Sequence, residues 1–228
     1  MMENKKGILY LVPTPIGNME DITYRALRIL NEVDVIFCED TRVSKELLNY
    51  YKIKKNLISS NEQNENKRIE LLLSYLNSNQ NVAIITDRGT PIISDPGYIL
   101  VKKVIEENYE IVALPGANAA TTALIISGLN PYPYIFYGFL KGNNKKKLEN
   151  LKNLKNIKYT MIFYESVHHL KDTLTLIYSV FCNRKIAICR ELTKVYEECV
   201  RDDLENIINN SENSYLSYLI IPSTYKVE

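Results

Sequence analysis

The chain has no Gly-x-Gly-x-x-Gly fingerprint, no Walker-type phosphate loop and no nucleophile elbow. Their absence removes the usual dehydrogenase, nucleotide-hydrolase and serine-hydrolase readings. Its four cysteines, Cys38, Cys182, Cys189 and Cys199, form no CxxC pair and have no histidine ligand pattern nearby. A disulfide framework or a zinc site is therefore not expected. Cys38 and Cys189 lie in apolar, strand-like runs, where a thiol is expected to be buried as a small hydrophobe. The only histidines, His168 and His169, are adjacent. A helix points such neighbours to different sides, so no metal site is expected from them. No run of apolar residues reaches the length of a membrane span, and the polar Met1 to Lys6 stretch is not expected to act as a signal peptide. The expected location is the cytoplasm. Charge of one sign is missing too: Lys plus Arg number 28 and Asp plus Glu 27, a formal net charge of +1. That argues against nucleic-acid binding by sheer charge but permits a local basic surface.

What is present is an ordinary folded composition, 46% hydrophobic and 24% charged over 228 residues. That length suits one large α/β domain or two modest ones. Ile8 to Val12 reads as a buried strand ended by the loop Pro13-Thr-Pro-Ile-Gly-Asn18. A helix from Asp21 to Leu30 follows, with Asp21 as its N-cap. Val33 to Cys38 is a second strand, closed by Glu39-Asp-Thr-Arg42. Helices are expected over Ser44 to Tyr51 and Lys67 to Leu76, with a polar loop from Ser59 to Asn66 between them. Val82 to Thr86 is a strand that runs into Asp87-Arg-Gly-Thr-Pro91. A helix from Pro96 to Asn108 and a strand from Glu110 to Leu114 lead to the turn Pro115-Gly116. Strand, loop and helix repeated in this way predict a mostly parallel α/β sheet. In such sheets, loops at the carboxyl ends of strands bind ligands.

A domain boundary is expected between Pro115 and Ala119, giving an α/β domain over residues 1–116 and a second over 117–228. The second half continues with a helix over Ala117 to Ser127 and strands over Tyr134 to Tyr137, Tyr159 to Tyr164 and Lys185 to Cys189. A helix around Leu170 to Tyr178, another over Asp203 to Asn209 and a last strand over Tyr215 to Ile221 complete it. The stretch Lys141 to Lys158 is rich in lysine and asparagine and holds one acid, Glu149. It is read either as a solvated loop or as a source of phosphate contacts.

Four regions could carry chemistry, each with a plainer alternative. The loop Pro13 to Asn18 could hold a small ligand through main-chain groups, or be a tight strand-to-helix turn. Glu39 to Arg42 could orient a hydroxyl or grip a phosphate, or be a solvated helix cap with an internal ion pair. Asp87, before the flexible Gly89, could meet an ammonium or ribose hydroxyls, or form an Asx-type turn. The small residues Pro115 to Ala120 permit close approach of a ligand, and Tyr164 in Phe163-Tyr-Glu-Ser166 could stack on a base or be a core tyrosine.

Taken in order, these segments resemble one family. Leu9-Tyr-Leu-Val-Pro-Thr-Pro-Ile-Gly-Asn18, Asp21-Ile-Thr23 and Glu39-Asp-Thr-Arg42 are similar to the opening of the bacterial small-subunit ribosomal RNA cytidine 2′-O-methyltransferases, of the tetrapyrrole-methylase superfamily. Gly89-Thr-Pro91, Asp95-Pro-Gly97, Leu114-Pro-Gly116, Gly138-Phe-Leu140, Phe163-Tyr-Glu-Ser166 with His169, and Arg190-Glu-Leu-Thr-Lys194 continue the match. It runs from about residue 8 to residue 200.

The resemblance implies two α/β domains with a cofactor cleft between them, usually in a homodimer. It implies S-adenosylmethionine as cofactor, held by Ile16, Asp87, Gly89, Thr90, Ala119, Ala120, Tyr164 and Cys189. It implies small-subunit ribosomal RNA, free or in the assembled subunit, as partner. For the transfer itself, Asp40 or Glu39 is the expected proton acceptor, and Arg42 would place a phosphate or Glu39. Glu165 and Lys194 are second candidates. Two departures stand out: Arg88 where the family has a small residue, and Tyr215-Leu-Ser-Tyr-Leu219 where its closing strand begins with Gly-Glu. Two rival readings stay open, a methyltransferase acting on a tetrapyrrole or another small molecule, and a non-catalytic RNA- or ribosome-binding member whose pocket Arg88 has closed.

Overall fold

A computed structural model of the chain describes residues 6–210 and 217–221. The chain divides into two compact units, one ending at Asn118 and the other starting at Ala119.

The first unit is built on strands β1 (Leu9–Leu11), β2 (Val35–Cys38), β3 (Asn56–Ser59), β4 (Val82–Ile85) and β5 (Ile111–Ala113). Their order is β3-β2-β4-β1-β5, and every pairing is parallel. Helices α1 (Tyr24–Glu32), α2 (Thr41–Tyr50), α3 (Glu65–Asn77) and α4 (Tyr98–Glu106) connect them. Successive strand side chains point to opposite faces, and both faces are filled. Along β2, Ile36 and Cys38 join Ala26, Leu30 and Leu48 of α1 and α2, while Val35 and Phe37 join Leu72, Leu76, Leu100 and Val104 of α3 and α4. This double burial explains why β2 and β4 are uninterrupted apolar runs.

Two local expectations are corrected. Helix α1 is capped by Thr23, whose hydroxyl accepts from the Ala26 amide, and not by Asp21. Asp21 instead closes a short 3-10 turn, Met19–Asp21, and the extended Ile22 after it prevents one continuous helix. The polar loop expected from Ser59 to Asn66 is shorter, because β3 pairs with β2 through Ser59 and α3 begins at Glu65.

The second unit contains α5 (Ala119–Ser127), β6 (Tyr134–Phe139), α6 (Asn144–Leu154), β7 (Thr160–Glu165), α7 (Val167–Phe181), β8 (Lys185–Arg190), β9 (Glu198–Asp203), α8 (Leu204–Asn210) and β10 (Ser217–Ile221). Its sheet order is β6-β7-β10-β8-β9. Only β6 and β7 run parallel; β10 is antiparallel to both of its neighbours, and β8 to β9. The mostly parallel sheet expected from the sequence therefore describes the first unit alone. Strand β9 was not expected at all. Of the divergent closing segment, Tyr215 and Leu216 lie outside the described residues.

The lysine-rich stretch is not a loop. Asn143 caps α6 by accepting from the Lys146 amide at 3.1 Å, and Leu151 on its inner face is fully buried. Lys147 is buried with it, donating to Glu165 Oε2 at 2.8 Å and to Thr173 Oγ1 at 3.1 Å. The Thr173 hydroxyl donates to the same carboxylate oxygen at 2.5 Å, and the Ser166 amide to the other at 2.9 Å. Lys147 is thus unavailable to phosphates, and Glu165 serves as the clasp between α6, β7 and α7.

Removing one member of a buried, hydrogen-bonded ion pair strands the other charge, at a cost of about 3–5 kcal/mol. Lys147→Ala is expected to destabilise the second unit by that amount in denaturant unfolding. Lys145→Ala, on the exposed face of the same helix, should stay within about 0.5 kcal/mol of wild type.

Candidate functional site

Because all strands of the first sheet are parallel, their carboxyl ends share one edge, and the chemistry-bearing loops meet there. Thr86, the residue after β4, is buried. Its hydroxyl donates to Glu39 Oε2 at 3.0 Å, and its carbonyl accepts from the Thr14 hydroxyl at 3.1 Å. Asp87 Oδ1 accepts from the Asp40 amide at 3.1 Å. Thr14 and Gly89 exchange backbone hydrogen bonds of 2.9 and 3.0 Å, which joins the loop after β1 to the loop after β4. Gly89 has φ +88°, and a Cβ there would lie 3.2 Å from the Ile16 side chain. Both conformation and space thus call for glycine. The Thr90 hydroxyl donates to the Ala117 carbonyl at 3.0 Å, which ties in the loop after β5.

The acids on this edge are not equivalent. Asp40 caps α2, accepting from the Arg42 amide at 2.8 Å, and its carboxylate also pairs with the Arg42 guanidinium at 2.6 Å. That guanidinium holds the Asp40 carboxyl down at about 2. The plainer alternative for this motif, a helix cap with an internal ion pair, is the arrangement found for Asp40 and Arg42. Arg42 engages Asp40 and not Glu39; Glu39 is oriented by Thr86. Burial raises the Asp87 carboxyl, while the Asp40 amide works in the opposite direction. Asp95 is pushed up to about 7, chiefly by burial and then by the charge of Glu39.

Two of these groups carry more weight than the sequence indicated. Asp95 stood there only as part of a motif, with no sign that the fold would bury it beside Glu39. Glu65 is buried at the start of α3, and its Oε1 accepts from the amides of Gly97, Ile99 and Leu100 at 3.1, 2.8 and 3.2 Å. It caps α4 from a neighbouring helix and so fixes the end of the segment that runs from Thr86 to Gly97.

In the second unit, Ala119 and Ala120 form the buried first turn of α5. Tyr164 and Cys189 are both register partners of Tyr218 in β10, on its two sides. They therefore share one face of the sheet. The Cys189 thiol, buried as expected, faces the Ala123 carbonyl of α5 at 3.8 Å. Tyr164 is half-buried, edge-on to Phe136 and Phe139 with ring centroids 5.0 and 5.4 Å away. Lys194 pairs with Glu191 at 3.0 Å. Among the described residues, no group of three or more His, Cys, Asp and Glu side chains is placed to hold a metal ion, and no helix is long and apolar enough to cross a membrane.

The model of the tetrapyrrole (corrin/porphyrin) methylases matches residues 8–208, which include every site residue named above. The chain belongs to that family. Among its relatives within the family, the ribosomal RNA small subunit methyltransferase I of Halalkalibacterium halodurans is 48% identical over 204 residues, covering 90% of this chain and 71% of that protein. The protein of the same name from Bacillus subtilis is 48% identical over 202 residues, covering 89% and 69%. That of Pasteurella multocida is 44% identical over 207 residues, covering 90% and 74%. A crystal structure of diphthine synthase superposes with a TM-score of 0.77 at 13% identity, over 95% of this chain and 90% of that one. At that identity the likeness shows the methylase fold alone.

Asp95 gives the edge a pH signature. The folded protein holds its proton up to about pH 7, whereas an unfolded aspartate releases it near pH ~4. Over that window the unfolded state binds fewer protons, so stability falls as pH rises and levels off above it. Melting temperatures measured from pH ~4 to ~8 should show Asp95→Asn losing less stability than wild type across that range. Parallel curves would mean that Asp95 does not titrate there.

Proposed function

We propose that this chain transfers the methyl group of S-adenosylmethionine to the 2′-oxygen of a cytidine ribose in small-subunit ribosomal RNA. The observation that carries the reading is the pair of hydrogen bonds, Thr86 hydroxyl to Glu39 and Asp40 amide to Asp87, on the carboxyl edge of the parallel sheet, in a methylase whose relatives are named for small-subunit ribosomal RNA. Those names speak against a tetrapyrrole as substrate.

The residues fit such a donor. Asp87 offers a carboxylate to ribose hydroxyls or an ammonium, and Gly89 and Thr90 bring backbone and hydroxyl alongside it. Arg88 is exposed, so its side chain is not packed into the interior beside Gly89, which disfavours the reading of a pocket closed by that residue. We assign Ile16, Asp87, Gly89 and Thr90 of the first unit, and Ala119, Ala120, Tyr164 and Cys189 of the second, to donor binding. Exposed Lys141, Lys145 and Lys146, with Arg42 and Arg88, supply phosphate contacts to free RNA or an assembled subunit. A cytoplasmic homodimer belongs to the reading through the family resemblance.

When bound, the donor supplies a methyl group already activated by its positive sulfur. The protein's task is then to align the 2′-oxygen and to accept its proton late in the transfer. Of the two acids after β2, Glu39 suits that role better. Asp40 is held near 2 by Arg42 and is therefore a weak base, while Glu39 is held in one orientation by the Thr86 hydroxyl. Asp95, protonated below about pH 7, spares Glu39 a second negative neighbour.

Small subunits lacking the modification, incubated with methyl-labelled donor and this protein, test the reading. The label should appear in an alkali-resistant dinucleotide containing cytidine, because a methylated 2′-oxygen cannot assist cleavage of the next phosphodiester. Glu39→Gln should cut the rate about 100-fold or more with donor binding retained. Label recovered on a base would contradict methylation of the ribose, and a Glu39→Gln rate equal to wild type would contradict the role of Glu39 as proton acceptor.

A further inference from the structure

We propose that Cys189 and Cys199 are a modification site, a dithiol that a peroxide converts into a cross-strand disulfide and whose closure loosens α5. The two residues lie directly opposite each other on antiparallel β8 and β9. Their sulfurs are 2.9 Å apart, less than an ångström beyond a disulfide bond of about 2.05 Å. Opposed residues of an antiparallel pair have Cα atoms about 4.5–5.5 Å apart, inside the window of about 4.4–6.8 Å that disulfides span. Closure asks for side-chain movement only.

The pair is also graded in access. Cys199 is half-exposed and Cys189 buried. Burial pushes the Cys189 thiol up, so it stays protonated and does not meet an oxidant itself. Cys199 is the sulfur that reacts first. It gives two electrons to the oxygen–oxygen bond of the peroxide and becomes a sulfenic acid, with release of one water. The Cys189 sulfur then displaces the hydroxyl group from Cys199, and its proton leaves with that hydroxyl as a second water. Two thiols and one peroxide yield one disulfide and two waters.

The consequence falls on α5. In the reduced form, the Cys189 sulfur faces the carbonyl of Ala123 and the Cys199 sulfur that of Ile126, each at 3.8 Å, and the two thiol hydrogens are shared between these carbonyls and the contact between the sulfurs. A disulfide has no hydrogen to donate, so neither carbonyl keeps a thiol donor. Arg201 still holds the far end of the helix, donating to Ile126 and, at 3.1 Å, to Ser127. The loosened part is therefore the first turns of α5, which begin at Ala119 and Ala120. Weaker binding of the methyl donor would follow, a corollary that rests on the proposed function.

The test treats the reduced full-length protein with hydrogen peroxide in a few-fold molar excess, enough for exposed Cys182 and for the pair. Non-reducing peptide mass analysis should find the peptides of Cys189 and Cys199 linked, with two hydrogens lost, and dithiothreitol should restore them. Cys199→Ser, which keeps a hydroxyl donor toward Ile126, should form no such link. Amide hydrogen exchange over residues 119–127 should be about fivefold faster in the oxidised wild type, as loss of a hydrogen bond's net contribution predicts, and unchanged in treated Cys199→Ser. Two alkylatable thiols at 189 and 199 after exposed Cys182 has been consumed would overturn the proposal, as would a link without faster exchange. If the link and the faster exchange appear but neither form binds S-adenosylmethionine, the cysteine site stands and the cofactor reading fails.

Discussion

Three segments are tied to one residue at Thr86. Its carbonyl receives the Thr14 hydroxyl, its own hydroxyl reaches Glu39, and Asp95 is packed close enough to feel both Thr86 and Glu39. The edge of the first sheet keeps its shape only while these ties hold, because each belongs to a different loop. Parallel pairing makes the arrangement possible: it ends every strand on the same side, where an antiparallel sheet would split those loops between two edges. Low exposure makes it strong, since the oxygens of Glu39 and Asp87 are already turned by fixed donors before any ligand arrives. Glu65 belongs to the same economy of position. By capping α4 from α3 it pins the end of the segment whose beginning Thr86 holds.

In the second unit, a register row does the comparable work. Tyr164, Cys189 and Cys199 are brought onto one face by successive pairings through β7, β10, β8 and β9, and both cysteine thiols meet α5 on that face. The Lys147–Glu165–Thr173 clasp lies at the end of the strand that carries Tyr164. It fixes α6 and α7 against β7, so the lysines left exposed on α6 are presented by a rigid helix.

How much of this the sequence disclosed follows from burial. Strands β1, β2 and β4 were legible because strands covered on both faces become unbroken apolar runs. Edge strands β3, with Asn56 and Ser59, and β9, with Asp202 and Asp203, were missed because neither has a buried residue and their composition matches that of loops. Helix α6 was hidden by its lysines and asparagines, although Leu148, Leu151 and Leu154 recur along it and Asn143 stands ready as a cap. No local signal distinguishes Lys147 from Lys145 and Lys146; which lysine turns inward is set by the distant Glu165. The charged loops at the strand ends were visible as candidates, but which acid pairs with Arg42, and that Asp95 lies close enough to feel the charge of Glu39, are set only in the folded chain.

The central claim is that the carboxyl edge of the first sheet holds the methyl donor through Asp87. Calorimetric titration with S-adenosylmethionine of wild type and Asp87→Asn, both verified as folded, tests it most directly. The account predicts saturable binding at one site per chain, weakened roughly tenfold or more in Asp87→Asn, as expected when a charge-assisted hydrogen bond loses its charge. No binding by folded wild type, or equal affinity in the two proteins, would contradict it.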